Sequence, residues 1–556
     1  MIRKLIPVLL LTFSLISTGL LAQKDFFEKY KFTHKDTLRG MLRPERTCYD
    51  VTFYDLNIDL DVPNKSIAGY VEIDYDVKAD FYTLQIDLFR NMDIDRILHN
   101  GKELQYKRDE DAVFVRFPQK QTKGKSDKIR VYYHGSPRKA KNPPWDGGFI
   151  WRRDKNGDPW VQVACEGLGA SVWWPNKDHL SDEPDSMAIT VGVPADLMCV
   201  SNGNLREKEN KGKLTRYHWF VSYPINNYNV TLNVGKYAHF KEYFTSFSGE
   251  KLDLDYYVMP EHLEKAKKHF EQVKPMLGCY ERYFGKYPFW KDGYALVETS
   301  YLGMEHQGAI AYGNRYMRGY LGGMVPKDMN WDFIIIHESG HEYFGNCISV
   351  DDHAEMWIHE GFTTYLEALY VECMYDYDRS IDYLLSQKRM IMNRVPILGP
   401  RDVNWDKWGD SDNYFKGAWV LHTLRNTINN DAKWFDLLKQ FYKKHYLGIV
   451  NSKDFIDFVN EYTGRDYTTF FEQYLTYPSI PTLEYRLKKK RNKVVVEYRW
   501  NADVKDFKMP VKVGSEGHYV IIMPSDEWQM ITLRGIKPAD FKVADELFLI
   551  KSERLY

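Results

Sequence analysis

A chain of 556 residues is far too long for one hydrophobic core and predicts two to four domains. Its 44% apolar and 15% aromatic content points to a well-packed globular protein. The 76 lysines and arginines nearly balance the 77 aspartates and glutamates, and a net charge of -1 gives a nucleic-acid partner no electrostatic support.

Residues 1–22 read as a secretory signal: Arg3 and Lys4 form the charged start, Leu5 to Ile16 the apolar centre, and Ala22 precedes a cut at Gln23. The apolar centre is short for a bilayer span, and no other segment is long and apolar enough to cross one. No cysteine follows it, so lipid attachment is not indicated. The expectation is an exported protein, periplasmic or secreted, without a stable membrane span once the signal is removed. A retained N-terminal anchor is the lesser alternative.

From about Tyr49 to Tyr237 the pattern is mainly β. Thr52 to Leu60 and Gly69 to Tyr75 alternate in polarity, and Asn100-Gly101 and Asn202-Gly203 mark turns. Around Pro260 the period changes, and Glu261 to Tyr283 predicts a long amphipathic helix. Helical patterns dominate to about Tyr474. Strand patterns return from Pro478, as in Leu483 to Leu487 and Val494 to Trp500, and the basic run Lys488 to Arg491 between them predicts a solvated hairpin tip. The expected organisation is multidomain α+β: a signal peptide (1–22), an N-terminal β domain (23–245), an α-rich catalytic domain (246–477) and a small C-terminal β-sandwich (478–556).

Six scattered cysteines, Cys48, Cys165, Cys199, Cys279, Cys347 and Cys373, lack C-x-x-C spacing. Buried free thiols are the default expectation, although some could pair in an exported chain. The Asn229-Val230-Thr231 sequon carries little weight.

The helical region holds His337-Glu338-Ser339-Gly340-His341, and Glu360 follows after 18 intervening residues. Helical residues four apart lie on one face, with Cβ atoms about 5–6 Å apart. Both imidazoles can therefore reach one metal ion at about 2.0–2.1 Å. Glu338 points about 100° away from His337 and stays free to act on a water. Bulky apolar residues from Trp331 to Ile336 lead in. Asn330 is the expected N-cap, Asp332 falls in the first turn, and the helix is expected to end near Gly345-Asn346. A second amphipathic helix, Met356 to Glu367, offers Glu360 as third ligand. One zinc ion per chain is expected, on His337, His341 and Glu360, with a fourth position open for hydrolytic chemistry. Glu367, two turns beyond Glu360, either supports the ligands or is an exposed helix glutamate. His306 and His359 are expected on the surface or the pocket wall, because a closed ligand shell would stop catalysis.

Four further patches accompany this motif: Tyr301 to Ala309, Asn413 to Ala418, Glu166 ahead of Trp173-Trp174-Pro175, and Tyr283 to Phe289. In this order, from about Asp50 to Arg486, the chain resembles the aminopeptidase-N and leukotriene-hydrolase family of zinc peptidases, peptidase family M1. His337 to Asn346 is similar to that family's H-E-x-x-H-x-x-F-G-N, Trp357 to Gly361 to its W-x-x-E-G, and Tyr414 to Gly417 to its Y-x-K-G. Leu302 to His306 aligns with G-x-M-E-N, with Leu302 in place of the first Gly and His306 in place of the Asn. The resemblance implies a β-saddle N-terminal domain and a thermolysin-like catalytic domain. It also implies Glu338 as general base, Tyr414 as oxyanion donor, and Gly303, Met304, Glu305 and Glu166 as substrate-binding residues, the two glutamates holding a free amine. Larger family members carry a C-terminal helical domain; here the sequence ends in β-like pattern at Tyr556, which implies a more open channel.

The leading expectation is a zinc aminopeptidase acting on peptides with a free N-terminus. A zinc endopeptidase on the same helices and a degenerate peptide-binding protein are the alternatives. Preferred residue, physiological peptide and oligomeric state are not readable from the chain.

Overall fold

The computed structural model describes residues 26–405 and 407–556, so the expected signal peptide at 1–22 lies outside the described residues. Two long alternating segments found the N-terminal region: β1 (Tyr49–Asp61) and β2 (Ser66–Val77) pair antiparallel, with Leu56 opposite Val71. Tyr54, Leu56, Ile58 and Leu60 all point inward, as the period-two pattern requires. The eight-stranded sheet built on this pair also includes a parallel partner, Ser186–Pro194. A four-stranded sheet containing Gly148–Arg153 and Pro159–Ala164 lies next in the fold, and the chain leaving it carries Glu166.

A third sheet supports the metal-binding helices. Its strands are β3 (Ala238–Thr245), β4 (Lys251–Val258), β5 (Tyr294–Glu298), β6 (Gly303–Met304) and β7 (Ile310–Tyr312), in the order β3-β4-β5-β7-β6. The expected boundary at 245/246 falls inside the β3–β4 hairpin, whose eight-residue ladder pairs Ala238 with Val258 and Thr245 with Lys251. Strand β3 therefore belongs with the sheet that follows it. The expected long helix from Glu261 is broken: a 3-10 turn at Phe270–Gln272 separates Leu263–His269 from α1 (Val273–Phe284).

Three helices carry the motifs: α2 (Phe333–Gly340), α3 (Trp357–Met374) and α5 (Asp412–Ile428), with α4 (Tyr377–Lys388) between the last two. Helix α2 is buried along its whole length, as a run of Phe and three Ile on every side demands. Its N-cap is Asp332, not Asn330. Asp332 Oδ1 accepts from the N–H of Ile334 at 2.9 Å, and Oδ2 accepts from Tyr312 Oη at 2.7 Å. The carboxylate two residues nearer the helix reaches the free N–H groups and is locked in place by the sheet. The helix also stops earlier than expected: regular structure ends at Gly340, His341 is the C-cap, and turns follow to Gly345, which takes φ +129°.

Helices α3 and α5 cross at two glycines. A Cβ on Gly361 would sit 2.9 Å from the Gly417 Cα, and one on Gly417 would sit 2.8 Å from the Gly361 Cα. This contact explains the glycines that close both helical motifs, since it sets Glu360 and Tyr414 on facing turns. The N-terminal end of α5 is tied down by buried Lys416, whose ammonium donates to the carbonyls of Tyr477 (2.9 Å) and Pro478 (2.8 Å). Burial lowers its pKa to about 8, and the two carbonyls answer the lost hydration.

Cys279 on α1 and Cys373 on α3 form a disulfide, while Cys48, Cys165, Cys199 and Cys347 are buried free thiols. The default expectation thus holds for four of the six. Beyond Pro478 the chain forms two small sheets, of four and three strands, with Leu483, Trp500, Val511 and Val513 in their core. Lys488–Lys490 are exposed at the end of the first hairpin, as the basic run predicts. None of the described helices is long and apolar enough to cross a membrane.

Gly417→Ala should introduce roughly 1–3 kcal/mol of overpacking strain. A thermal melt should show the midpoint several degrees lower; an unchanged midpoint would mean that the α3–α5 crossing yields without cost.

Candidate metal centre and peptide cavity

Helix α2 presents His337 and His341 one turn apart, and α3 brings Glu360 to them. The His337 and His341 Nε2 atoms are 3.2 Å apart, and Glu360 Oε2 lies 3.4 Å and 3.3 Å from them. All three side chains are buried. Bonds of about 2.0–2.1 Å at tetrahedral angles give ligand–ligand edges of roughly 3.3–3.4 Å. The triangle therefore fits a zinc ion without rearrangement.

The protonation pattern agrees. His337 Nδ1 faces Glu367 Oε1 at 2.6 Å, and His341 Nδ1 faces the Phe344 carbonyl at 3.0 Å. Both partners only accept, so each Nδ1 carries a proton and each Nε2 is the nitrogen turned to the centre of the triangle. Glu367 is fully buried, and its other oxygen accepts from Tyr383 Oη (2.5 Å) and Gln387 Nε2 (3.0 Å). This settles its role as support for a ligand, and α4 supplies the residues that hold it.

Glu338 lies beside the triangle, not in it. A Cβ on Gly303 would be 2.5 Å from Glu338 Oε1, so the carboxylate packs directly over the β6 backbone. This is a physical reason for glycine at 303. Burial lifts the Glu338 carboxyl to about 8, with the His337 charge opposing and Glu305 adding to the rise.

A cavity of about 850 Å³ opens in front of these groups. It collects the expected substrate-binding residues Glu166, Gly303, Met304 and Glu305 with His337, His341, Glu338, Glu360 and Tyr414. Glu305 is buried and accepts from Tyr228 Oη at 2.9 Å. Its pKa is raised, by burial first, with His341 opposing and Glu360 adding. Glu166, half-buried on the wall, is raised well above the carboxylate range by desolvation and then by Glu305. Tyr414 is half-buried, with its ring 6.0 Å from that of His337 and stacked on it. Burial and neighbouring Glu360 push its hydroxyl well above its ordinary pKa.

The altered motif residues divide. Leu302 lines the cavity, and its carbonyl accepts from the Gly313 N–H at 2.7 Å. His306 and His359 are fully buried and are not among the cavity-lining residues, which corrects their expected place on the surface or pocket wall. Burial lowers the pKa of each to about 3, so both are neutral core side chains.

Asn346, Asn229 and Tyr287, all in segments that the sequence marks, support the site, and Asn404 and Arg39, which it does not mark, join them. Asn346 Nδ2 donates to the Glu305 carbonyl at 2.8 Å, and its Oδ1 accepts from Asn229 Nδ2 at 2.7 Å. The sequon asparagine is thus a buried structural residue. Tyr287 Oη donates to buried Glu342 at 2.7 Å, one residue beyond His341, which gives the Tyr283–Phe289 patch a supporting role. Asn404 donates to the Gly167 carbonyl at 2.9 Å and Arg39 to that of Leu168, fixing the loop that carries Glu166. Such pairings join segments far apart in sequence.

Residues 268–474 match the model of the Peptidase family M1 domain. The chain carries a peptidase family M1 domain. Over 459 residues it is 21% identical to a leucyl aminopeptidase of Saccharolobus solfataricus, covering 79% of this chain and 55% of that protein. Over 272 residues it is 25% identical to human endoplasmic reticulum aminopeptidase 2, covering 47% and 28%. The chain spans about half the length of the first of these curated relatives. An M1 zinc metallopeptidase from Deinococcus radiodurans superposes with TM-score 0.63 at 21% identity, over 77% of this chain and 92% of that one. A structure from that organism bound to a Tyr-Ser-Ala substrate gives 0.62 over 77% and 93%. The M1 domain and the sheets before it therefore share the fold of those metallopeptidases.

Replacing Glu367 by Gln should weaken zinc binding about 10–100-fold by loosening His337. Competition against a chelator of known affinity measures this; an unchanged dissociation constant would remove Glu367 from the ligand support.

Proposed function

We propose that this protein is a zinc-dependent aminopeptidase that hydrolyses the first peptide bond of peptides with a free N-terminus. The observation that carries the reading is one cavity shared by a three-ligand metal cluster and two further carboxylates, Glu305 and Glu166. Both carboxylates are pushed up by desolvation and by the acids around them, so an ammonium group is the ligand they lack. Anchoring that ammonium would set the first peptide bond in front of the cluster.

His337, His341 and Glu360 would hold the zinc. The bound ion would supply Lewis acidity and make water acidic enough to ionise near neutral pH. Glu338, raised toward neutrality, is matched to take a proton from the attacking water and pass it to the leaving amine. The Tyr414 hydroxyl, protonated throughout the working range, would donate to the oxyanion as it forms. An endopeptidase using the same helices would gain nothing from Glu305 and Glu166, which disfavours that alternative. A degenerate binding protein would not need the full set of reacting groups.

We propose further that the protein is exported, periplasmic or secreted. The signal-like sequence at 1–22 and the Cys279–Cys373 disulfide support an exported, oxidising setting.

Glu338→Gln should keep zinc but lose about 10²–10⁴-fold in turnover; activity near wild type would dismiss Glu338 as the base. Glu305→Ala should abolish most of the preference for a free-amine peptide over its N-acetylated form. If wild-type protein cleaves both forms equally well, the endopeptidase alternative takes over.

A further inference from the structure

Glu166, Glu305, Glu338, Glu360, Asp146 and Asp410 all line the cavity, which makes it strongly acidic. Among its described lining residues Arg138 is the single lysine or arginine. Its backbone is fixed in a ladder. The Arg138 carbonyl accepts from the Phe149 N–H at 2.7 Å, and the Ala140 N–H donates to the Phe149 carbonyl at 3.0 Å. The connecting loop folds back against the wall that holds Glu166, because a Cβ on Gly147 would meet the Leu168 Cβ at 2.9 Å.

Among the described residues the guanidinium has one ion-pair neighbour and no hydrogen-bonded carboxylate. Asp146, its ion-pair neighbour, lies at 3.8 Å, beyond hydrogen-bond reach. Both Asp146 oxygens are taken by the loop: Oδ2 accepts from the Lys141 N–H at 2.5 Å and Oδ1 from the Asn142 N–H at 2.9 Å. Asp146 therefore shapes the loop and meets Arg138 through charge alone, without a hydrogen bond. The Arg138 side chain is 35% exposed, so it lies partly against the cavity wall and stays accessible to a ligand. Beside it Trp145, 65% exposed, extends the same cavity wall.

A planar fork of N–H donors on the cavity wall, with no hydrogen-bonded acceptor among the described residues, matches a carboxylate bidentately. We propose that Arg138 is a specificity-determining residue that binds a carboxylate of the peptide substrate. The inference rests on the aminopeptidase reading and sharpens its substrate class. An acidic cavity repels acidic ligands, and Arg138 gives a peptide carboxylate one favourable place to sit. Two sources offer the same chemistry: the C-terminus of a short peptide, or an acidic side chain within it.

Two matched substrate pairs distinguish them in zinc-loaded protein. The first is Leu-Gly-Gly as free acid and as C-terminal amide. The second is a pair of arylamides, of glutamate and of glutamine. For each pair the ratio of kcat/KM, charged over neutral, is measured in wild type, Arg138→Gln and Arg138→Lys. In Arg138→Gln the ratio should fall about 10- to 100-fold in one pair, through KM, with partial retention in Arg138→Lys. The pair that moves names the source, and the neutral member of each pair controls for folding. Ratios unchanged within about twofold in both pairs would overturn the proposal. Wild-type protein turning over no member of either pair would overturn the aminopeptidase reading itself, and this inference with it.

Discussion

Three electron-rich atoms held 3.2–3.4 Å apart on buried side chains at the cavity wall are the constraint on which the catalytic region depends. Two imidazole lone pairs and a carboxylate oxygen repel one another unless a cation lies between them. The fold accepts this by over-determining every approach to the triangle. Asp332, bonded to Tyr312, fixes the start of α2. The glycine crossing sets α3 against α5. Glu367, held by Tyr383 and Gln387, fixes the tautomer of His337, and the Phe344 carbonyl does the same for His341. A site so supported pre-organises its ligands, and little rearrangement remains when the ion binds.

The second layer is electrostatic. Glu338, Glu305 and Glu166 crowd around the triangle and drive one another's pKa upward. On the proposed function, metal and substrate amine are the two positive charges that this arrangement is short of. A divalent ion favours the ionised base, and an ammonium favours ionised anchors. Glu338 is seated by the bare backbone of Gly303, so the β6 edge positions the proposed base as well as lining the cavity. That edge keeps its Gly, Met and Glu even though its flanking residues are Leu302 and His306.

The reacting groups were legible in the sequence because their chemistry is tied to short helical spacings. His337 and His341 share a face as their helical spacing requires, and packing brings Glu360, Tyr414 and Glu305 to them in one cavity. What the sequence hid depends on tertiary competition. Asn330 and Asp332 are both good N-caps, and only the sheet beneath decides for Asp332. His306 and His359 look polar in sequence, yet packing buries them as neutral rings. The pairing of Cys279 with Cys373 joins residues 94 apart, a proximity that no local pattern encodes. Strand β3 was misassigned for the same reason: its alternation fits either sheet, and its hairpin partner settles the choice.

The central claim is that a single metal and a set of amine-holding carboxylates make the protein count from a peptide's N-terminus. Mass spectrometry of products from an unblocked peptide of about ten residues, with metal-free and zinc-reconstituted protein side by side, tests it most directly. The account predicts a ladder of products shortened one residue at a time from the N-terminus, seen only after zinc is restored at one ion per chain. Internal cleavage products, or an equal ladder from metal-free protein, would contradict it.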